Sequence, residues 1–304
     1  MLRSRALVLL AAAMGVLSAP QIVQRDMAKP TDTEVLQFAL TLEQIENAFY
    51  HEGLDKLDEK AFEAAGYPPW VRARFEQIKE HEATHVAFLS EALGPAAPQP
   101  CTYNFPYNDP KSFAALSMAL ETVGASAYIG AAQFLENKDV LTEAADPQSI
   151  LGVESRQAGW VSSAVLKGSA WDGPFETPLS MDGVYSIASQ FIVSCPASNP
   201  QLMVNILPKL AIEPGSPHNG EAVKFKFDHN EVKHDGQLYV AWFDGIYVQY
   251  SDLSKDDMAS VPEGIQGTVY AGIVNEKAGT PTAQKLLTGL AMFEINFPSY
   301  VANP

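Results

Sequence analysis

Residues 71–89 read Val-Arg-Ala-Arg-Phe-Glu-Gln-Ile-Lys-Glu-His-Glu-Ala-Thr-His-Val-Ala-Phe-Leu, and the fold turns on where the polar residues fall. Val71, Phe75, Ile78, Glu82, His85 and Leu89 step by three or four, the spacing of one helix face. A carboxylate and an imidazole therefore stand where apolar side chains belong. Three residues is nearly one turn, so Glu82 and His85 point the same way. The helix is expected from about Pro69 to Leu93, stopping at Gly94-Pro95.

Three more helical segments surround this one. The first is expected over Thr33–Leu54 with Asp32 as N-cap, on a stripe of Val35, Phe38, Leu42, Ile45 and Phe49. Glu46 lies one turn from Leu42 and Phe49, near the centre of that stripe, while Glu43 is rotated toward its edge. Another helix opens with Asp109 as N-cap and Pro110 at the first helical position, and runs to about Asn137. On it Glu121 shares a face with Ala114, Ser117, Gly124 and Tyr128, and the small residues among them leave room for ions. The last opens at Asp146-Pro147 and ends at Gly168, and places Glu154 and Gln157 between Ile150 and Val161.

Each helix thus carries an inward glutamate. A buried carboxylate is costly unless it is paired or bound to a cation. Four of them would repel one another, and two divalent cations would relieve that. This is the logic of a two-metal carboxylate site, with one Glu from each of two helices and Glu-x-x-His from each of the other two. The order here is Glu46, then Glu82-x-x-His85, then Glu121, then Glu154-x-x-Gln157, with Glu43 as an alternative to Glu46.

Leu42–Tyr50, His81–Leu89 and Val153–Ala158 together resemble the ferritin-like domain of secreted fungal proteins associated with stress response and late sexual development. The resemblance covers roughly residues 30–200 and, more loosely, the tail. It implies a ferritin-like four-helix bundle whose metal ligands match Glu46, Glu82, His85, Glu121 and Glu154. It implies Fe or Mn, with Zn as a further candidate, as one or two bound ions. The pattern departs at Gln157, where it asks for His. Neutral imidazole is a strong ligand for these metals and an amide oxygen a weak one, so one metal position is expected to be weakened.

After about Asn205 the period changes. Segments 221–228, 237–244, 246–253, 268–275 and 287–297 are rich in Val, Tyr, Phe, Ile and Trp and are divided by Gly, Asp and Pro turns. They predict a small β-sandwich. The expected organisation is α+β and multidomain: a signal peptide over 1–18, the bundle over 30–168, a connection with a short fifth helix (Asp182–Val193) over 169–204, and the β-sandwich over 205–304.

Arg3 and Arg5 followed by the apolar run Ala6–Leu17 and the small residues Ser18 and Ala19 read as an export signal. Export puts the two cysteines, Cys101 and Cys195, in an oxidising compartment, where a disulfide is expected. The mature chain is expected to be extracellular or in the cell wall, with no membrane attachment after cleavage. The net charge of −16 and sequence pI of ≈ 4.7 argue against nucleic acid and anionic membranes as partners.

Two other functional readings fit parts of the sequence. The bundle could serve only as a scaffold for a non-enzymatic cell-surface or cell-wall protein that binds through its β-rich part. His81-Glu82-Ala83-Thr84-His85 is also a literal H-E-x-x-H, the zinc-peptidase pattern. No third His follows at the extended spacing, and His81 sits about 100° from Glu82 around the helix, off the apolar stripe. The sequence leaves enzymatic activity open.

Overall fold

A computed structural model describes residues 29–136 and 147–295. The export segment, the proposed N-cap Asp146 and residues 137 and 296–297 of the expected elements lie outside these described residues. The chain divides into two compact units. One holds residues 29–170 together with Ala188–Met203; the other holds Trp171–Ile187 and the strands that follow Val204.

The first unit is built on α1 (Asp32–Lys56), α3 (Pro69–Leu93), α4 (Pro110–Ala132) and α5 (Pro147–Trp160), with a short α2 (Glu59–Ala64) before α3. The start of α1 differs by one residue from expectation. Thr31, not Asp32, is the N-cap, and it forms a capping box with Glu34 that satisfies two backbone donors reciprocally. Asp32 instead accepts from the backbone of Glu136. Asp109 caps α4 as expected, with Pro110 at the first position. That helix ends at Ala132, earlier than the apolar pattern suggested. The last helix leaves α geometry at Val161, where a π turn runs to Val165. Helix α2 has one buried residue, Phe62, too little periodicity to be read from sequence.

The helix directions follow from which residues meet. Leu36 and Leu40 near the start of α1 pack with Leu89 and Leu93 at the end of α3, Tyr128 near the end of α4 and Ile150 near the start of α5. At the opposite end Phe49 of α1 stacks on Phe113 of α4 at 4.6 Å, and Phe75 of α3 lies 5.2 Å from both Phe113 and Trp160. Helices α1 and α5 therefore run one way and α3 and α4 the other. Two parallel neighbours in sequence require one long crossover, a feature of ferritin-like bundles. Residues 94–109 make it. This crossover carries β1 (Thr102–Tyr103), which pairs with β2 (Ile192–Ser194), and the Cys101–Cys195 disulfide fastens the two segments. Helix α4 is apolar enough to cross a membrane by composition, but 89% of its most apolar window is buried inside the protein.

The second unit opens with α6 (Met181–Ala188, assigned to this unit as far as Ile187) and contains two antiparallel sheets. One has the order β3-β4-β7 (Ala211–Glu213, Ala222–Lys226, Met258–Ser260), the other β6-β5-β8-β9 (Tyr247–Asp252, Tyr239–Asp244, Gly267–Val274, Ala291–Ile295). Their facing residues share one core: Val223, Phe225 and Ala259 from the first sheet meet Val240, Trp242, Val269, Ile273 and Phe293 from the second. Strand β4 alternates exposed and buried residues, as a strand with one wet face should, while every residue of β8 is buried. The α+β class predicted from the change of period is the observed one.

Candidate metal centre

The bundle interior is apolar at both ends and polar in the middle. Between the Leu36–Ile150 layer and the Phe49–Phe113 layer lie Glu43, Glu82, Glu121 and Glu154, each 0% exposed, with Glu46 at 3% and Gln157 at 6%. All four long helices contribute. The sequence logic put these residues inward, and that is where they stand. The exception is Glu43, expected at the edge of its stripe and in fact fully buried.

Glu43, Glu82, His85 and Glu154 each bring a ligand atom within 4.8 Å of the others, the arrangement a metal ion requires. His85 Nδ1 lies 3.2 Å from both Glu43 Oε2 and Glu82 Oε2. Two tyrosines hold carboxylates from outside this group. Tyr128 donates to Glu43 Oε1 at 2.5 Å. Tyr50 donates to Glu121 Oε1 and lies 2.7 Å from the Ser117 hydroxyl. Gln157 Nε2 donates to Glu82 Oε1 at 2.8 Å. Glu46 and Glu121 therefore border the four-residue group rather than join it. Neither tyrosine was assigned a role from sequence. The signal was available: Tyr50 is one turn beyond Glu46, and Tyr128 shares the Glu121 face.

Burial pushes the carboxyls of Glu46, Glu121 and Glu154 well above the usual range, and repulsion among the clustered glutamates adds to it. Burial likewise raises Glu82 to about 7, against the opposing hydrogen bond from His85. For His85, burial disfavours the charged ring, but hydrogen bonds and charge from Glu43 and Glu82 outweigh it and raise the pKa to about 10. The phenols of Tyr50 and Tyr128 are raised by burial and by the carboxylates beside them.

The donor set fits a divalent cation. Glu46 Oε2, Glu121 Oε2 and both oxygens of Glu154 are buried with no hydrogen-bond partner. Unsatisfied buried carboxylate oxygens are expensive, and cation coordination is the usual remedy. Space is kept for it at Gly124: a Cβ there would lie 2.5 Å from Glu154 Oε2 and 2.9 Å from Glu46 Oε1. Only glycine lets these two carboxylates approach the α4 backbone. The mix of one imidazole and several carboxylates suits Fe, Mn or Zn.

The competing histidines lie elsewhere. His81 is exposed and outside the four-residue group, which separates the two histidines of the H-E-x-x-H pattern. In the second unit, His229 pairs with Asp257 at 3.0 Å and His234 faces the Gly236 carbonyl, both exposed.

Residues 31–167 match the family model for the ferritin-like domain. The chain is also 30% identical to Protein rds1 of Schizosaccharomyces pombe over 183 residues, which is 59% of this chain and 44% of that protein. The chain thus spans less than half the length of this curated relative. The family-model match over residues 31–167 contains every residue of the site, from Glu43 to Gln157.

Proposed function

We propose that this protein is a secreted fungal metalloprotein whose ferritin-like bundle holds one or two Fe or Mn ions and acts protectively in stress or development. The observation that carries the reading is the buried group of Glu43, Glu82, His85 and Glu154, bordered by Glu46 and Glu121, in which both oxygens of Glu154 and one oxygen each of Glu46 and Glu121 have no partner. Glu43, Glu82, His85 and Glu154 would hold the first ion. Glu46 and Glu121, with Glu154 shared, would hold a second more weakly, because Gln157 replaces the nitrogen donor there. A redox-active ion in this position would supply electrons to dioxygen or peroxide. The chain's own residues supply the rest: Tyr50 orients Glu121, Tyr128 orients Glu43, Gln157 orients Glu82, and the two apolar layers keep bulk water out. The export signal read from the sequence and the disulfide support an extracellular setting.

Metal analysis of the purified mature protein tests this. We expect Fe or Mn retained in wild type and lost in the Glu82→Ala, Glu121→Ala double variant. Equal metal content in both, or none in either, would sink the proposal.

A second reading keeps the bundle as scaffold and gives binding to the β-rich unit. It is favoured by the exposed aromatics Trp171, Phe175 and Tyr247, at 64%, 46% and 61% exposure, and by Gln157 itself. Gln157→His separates the two. If that variant gains tight two-metal binding where wild type binds nothing, the site is a relic; loss of wild-type activity on His85→Ala would reject the scaffold reading.

A further inference from the structure

A cavity of about 410 Å³ opens between α3 and α5 on the flank of the metal centre. This is within the size range of small-molecule sites. Its chemistry is at odds with the rest of the protein. On a chain of net charge −16, the opening is lined by Arg74, Arg156 and His81, and no carboxylate is part of the lining. Neither guanidinium forms an ion pair among the described residues; Arg74 is bonded only to the neutral Gln77 side chain, at 2.5 Å. Two residues earlier, Arg72 is paired with Glu76 at 3.0 Å, so the vacancy of the other two is local.

The inner wall is apolar and aromatic, formed by Ile78, Val153 and Trp160. Gln157 also belongs to the lining. Its amide nitrogen is engaged with Glu82, and its Oε1 is buried and unpartnered on a residue that is 6% exposed. The pocket therefore offers two guanidiniums free of ion pairs among the described residues, an aromatic wall, and one unused acceptor on the residue that holds Glu82.

We propose that this pocket binds a small aromatic carboxylate bearing a hydroxyl group, with its carboxylate on Arg74 and Arg156 and its hydroxyl donated to Gln157 Oε1. Guanidinium matches a carboxylate in a bidentate fork, and a ring meets Trp160. A bare inorganic anion leaves the apolar wall and the Gln157 acceptor unused. Gln157 then has a positive role: it separates ligand from metal by one amide, holding Glu82 with one end and the ligand with the other. That this molecule is what the metal centre acts on rests on the function proposed above; the binding itself does not.

The test is calorimetric titration of the full chain with para-hydroxybenzoate, before and after EDTA treatment. We expect saturable binding in both states. The Arg74→Ala, Arg156→Ala double variant should lose about tenfold or more in affinity, as should the neutral para-hydroxybenzamide on wild type. Gln157→Leu should weaken para-hydroxybenzoate but not benzoate. No saturable binding into the millimolar range, equal binding of the amide, equal displacement by inorganic phosphate, or an unaffected double variant would each overturn the proposal. A protein that takes up no metal yet binds the acid keeps the pocket and removes the metal reading; the reverse result removes the pocket alone.

Discussion

The two units solve the core problem in opposite ways. The β-rich unit buries Val, Ile, Phe and Trp, and the polar handle of its largest core side chain is satisfied: Trp242 Nε1 donates to Ser251 at 3.1 Å. The bundle buries five glutamates and leaves oxygens of three of them without partners. The β-rich unit's buried unpartnered oxygen among the described residues, Asp172 Oδ2, lies outside its apolar cluster. The bundle core carries a cost that stability alone does not explain, and the cost is confined to one layer between two well-packed apolar ones. The difference teaches where to look for function: in the core that is worse than it needs to be.

The comparison can be broken from either side. Trp242→Ala should give the largest effect, about 3–5 kcal/mol, through loss of buried contacts and a cavity. Hydrogen exchange should localise the loss to β5 and β8, with metal content unchanged. Saturating metal should act on the other unit. At about 100 times Kd, binding to the folded state alone stabilises by about 2.7 kcal/mol. EDTA should reverse it, and the protection gained should lie in α1, α3, α4 and α5.

Glu154→Gln sharpens the contrast further. It replaces a carboxyl that burial keeps protonated, so that folding at neutral pH costs the uptake of a proton, and whose two oxygens have no partner. We expect the metal-free variant to be more stable than wild type by about 1–3 kcal/mol and the metal-induced gain to disappear. A destabilised metal-free variant would mean the carboxylate is part of the packing rather than a cost. Two glycines make a finer pair. Gly124→Ala would push a methyl into Glu154 and Glu46 and should abolish metal-dependent stabilisation. Gly152→Ala, in α5 with nothing within 4 Å of the new Cβ, should stabilise by about 0.5–1 kcal/mol and leave metal binding intact.

A pH dependence is expected in the β-rich unit. Burial raises Glu294 to about 7, with repulsion from Asp172 adding to it and the Thr268 hydroxyl opposing it. A carboxyl whose folded pKa is raised binds its proton more tightly when folded. Its contribution is therefore fully present below the unfolded value, about 4.3, and is lost as pH rises toward 7. Denaturation between pH 4.5 and 7 should show this unit weakening as pH rises, and Glu294→Gln should flatten the slope.

Much of this was legible in the sequence, because polar residues in an apolar stripe violate the helical pattern at known spacing. Glu82, His85, Glu121, Glu154 and Gln157 could all be placed inward by counting turns. Glu43 could not: one residue of rotation separates edge from interior, and only the close packing of α1 against α3 decides it. The tyrosine hydroxyls escaped for a related reason, since Tyr reads as apolar in a periodicity argument while its oxygen bonds across helices. Arg74 and Arg156 escaped because they lie on different helices, and pocket lining is a property of their meeting. The five expected strands fall within a few residues of β4, β5, β6, β8 and β9, but the short β3 and β7 were not read from the sequence, and the pairing order β6-β5-β8-β9 depends on contacts distant in sequence.

The most direct test of the central claim is anomalous diffraction from crystals of the mature protein grown with Fe(II) or Mn(II). The account predicts a peak among Glu43, Glu82, His85 and Glu154, with any second, weaker peak toward Glu46 and Glu121. Bound metal found only at surface histidines, or an interior with no anomalous density at saturating metal, would contradict it.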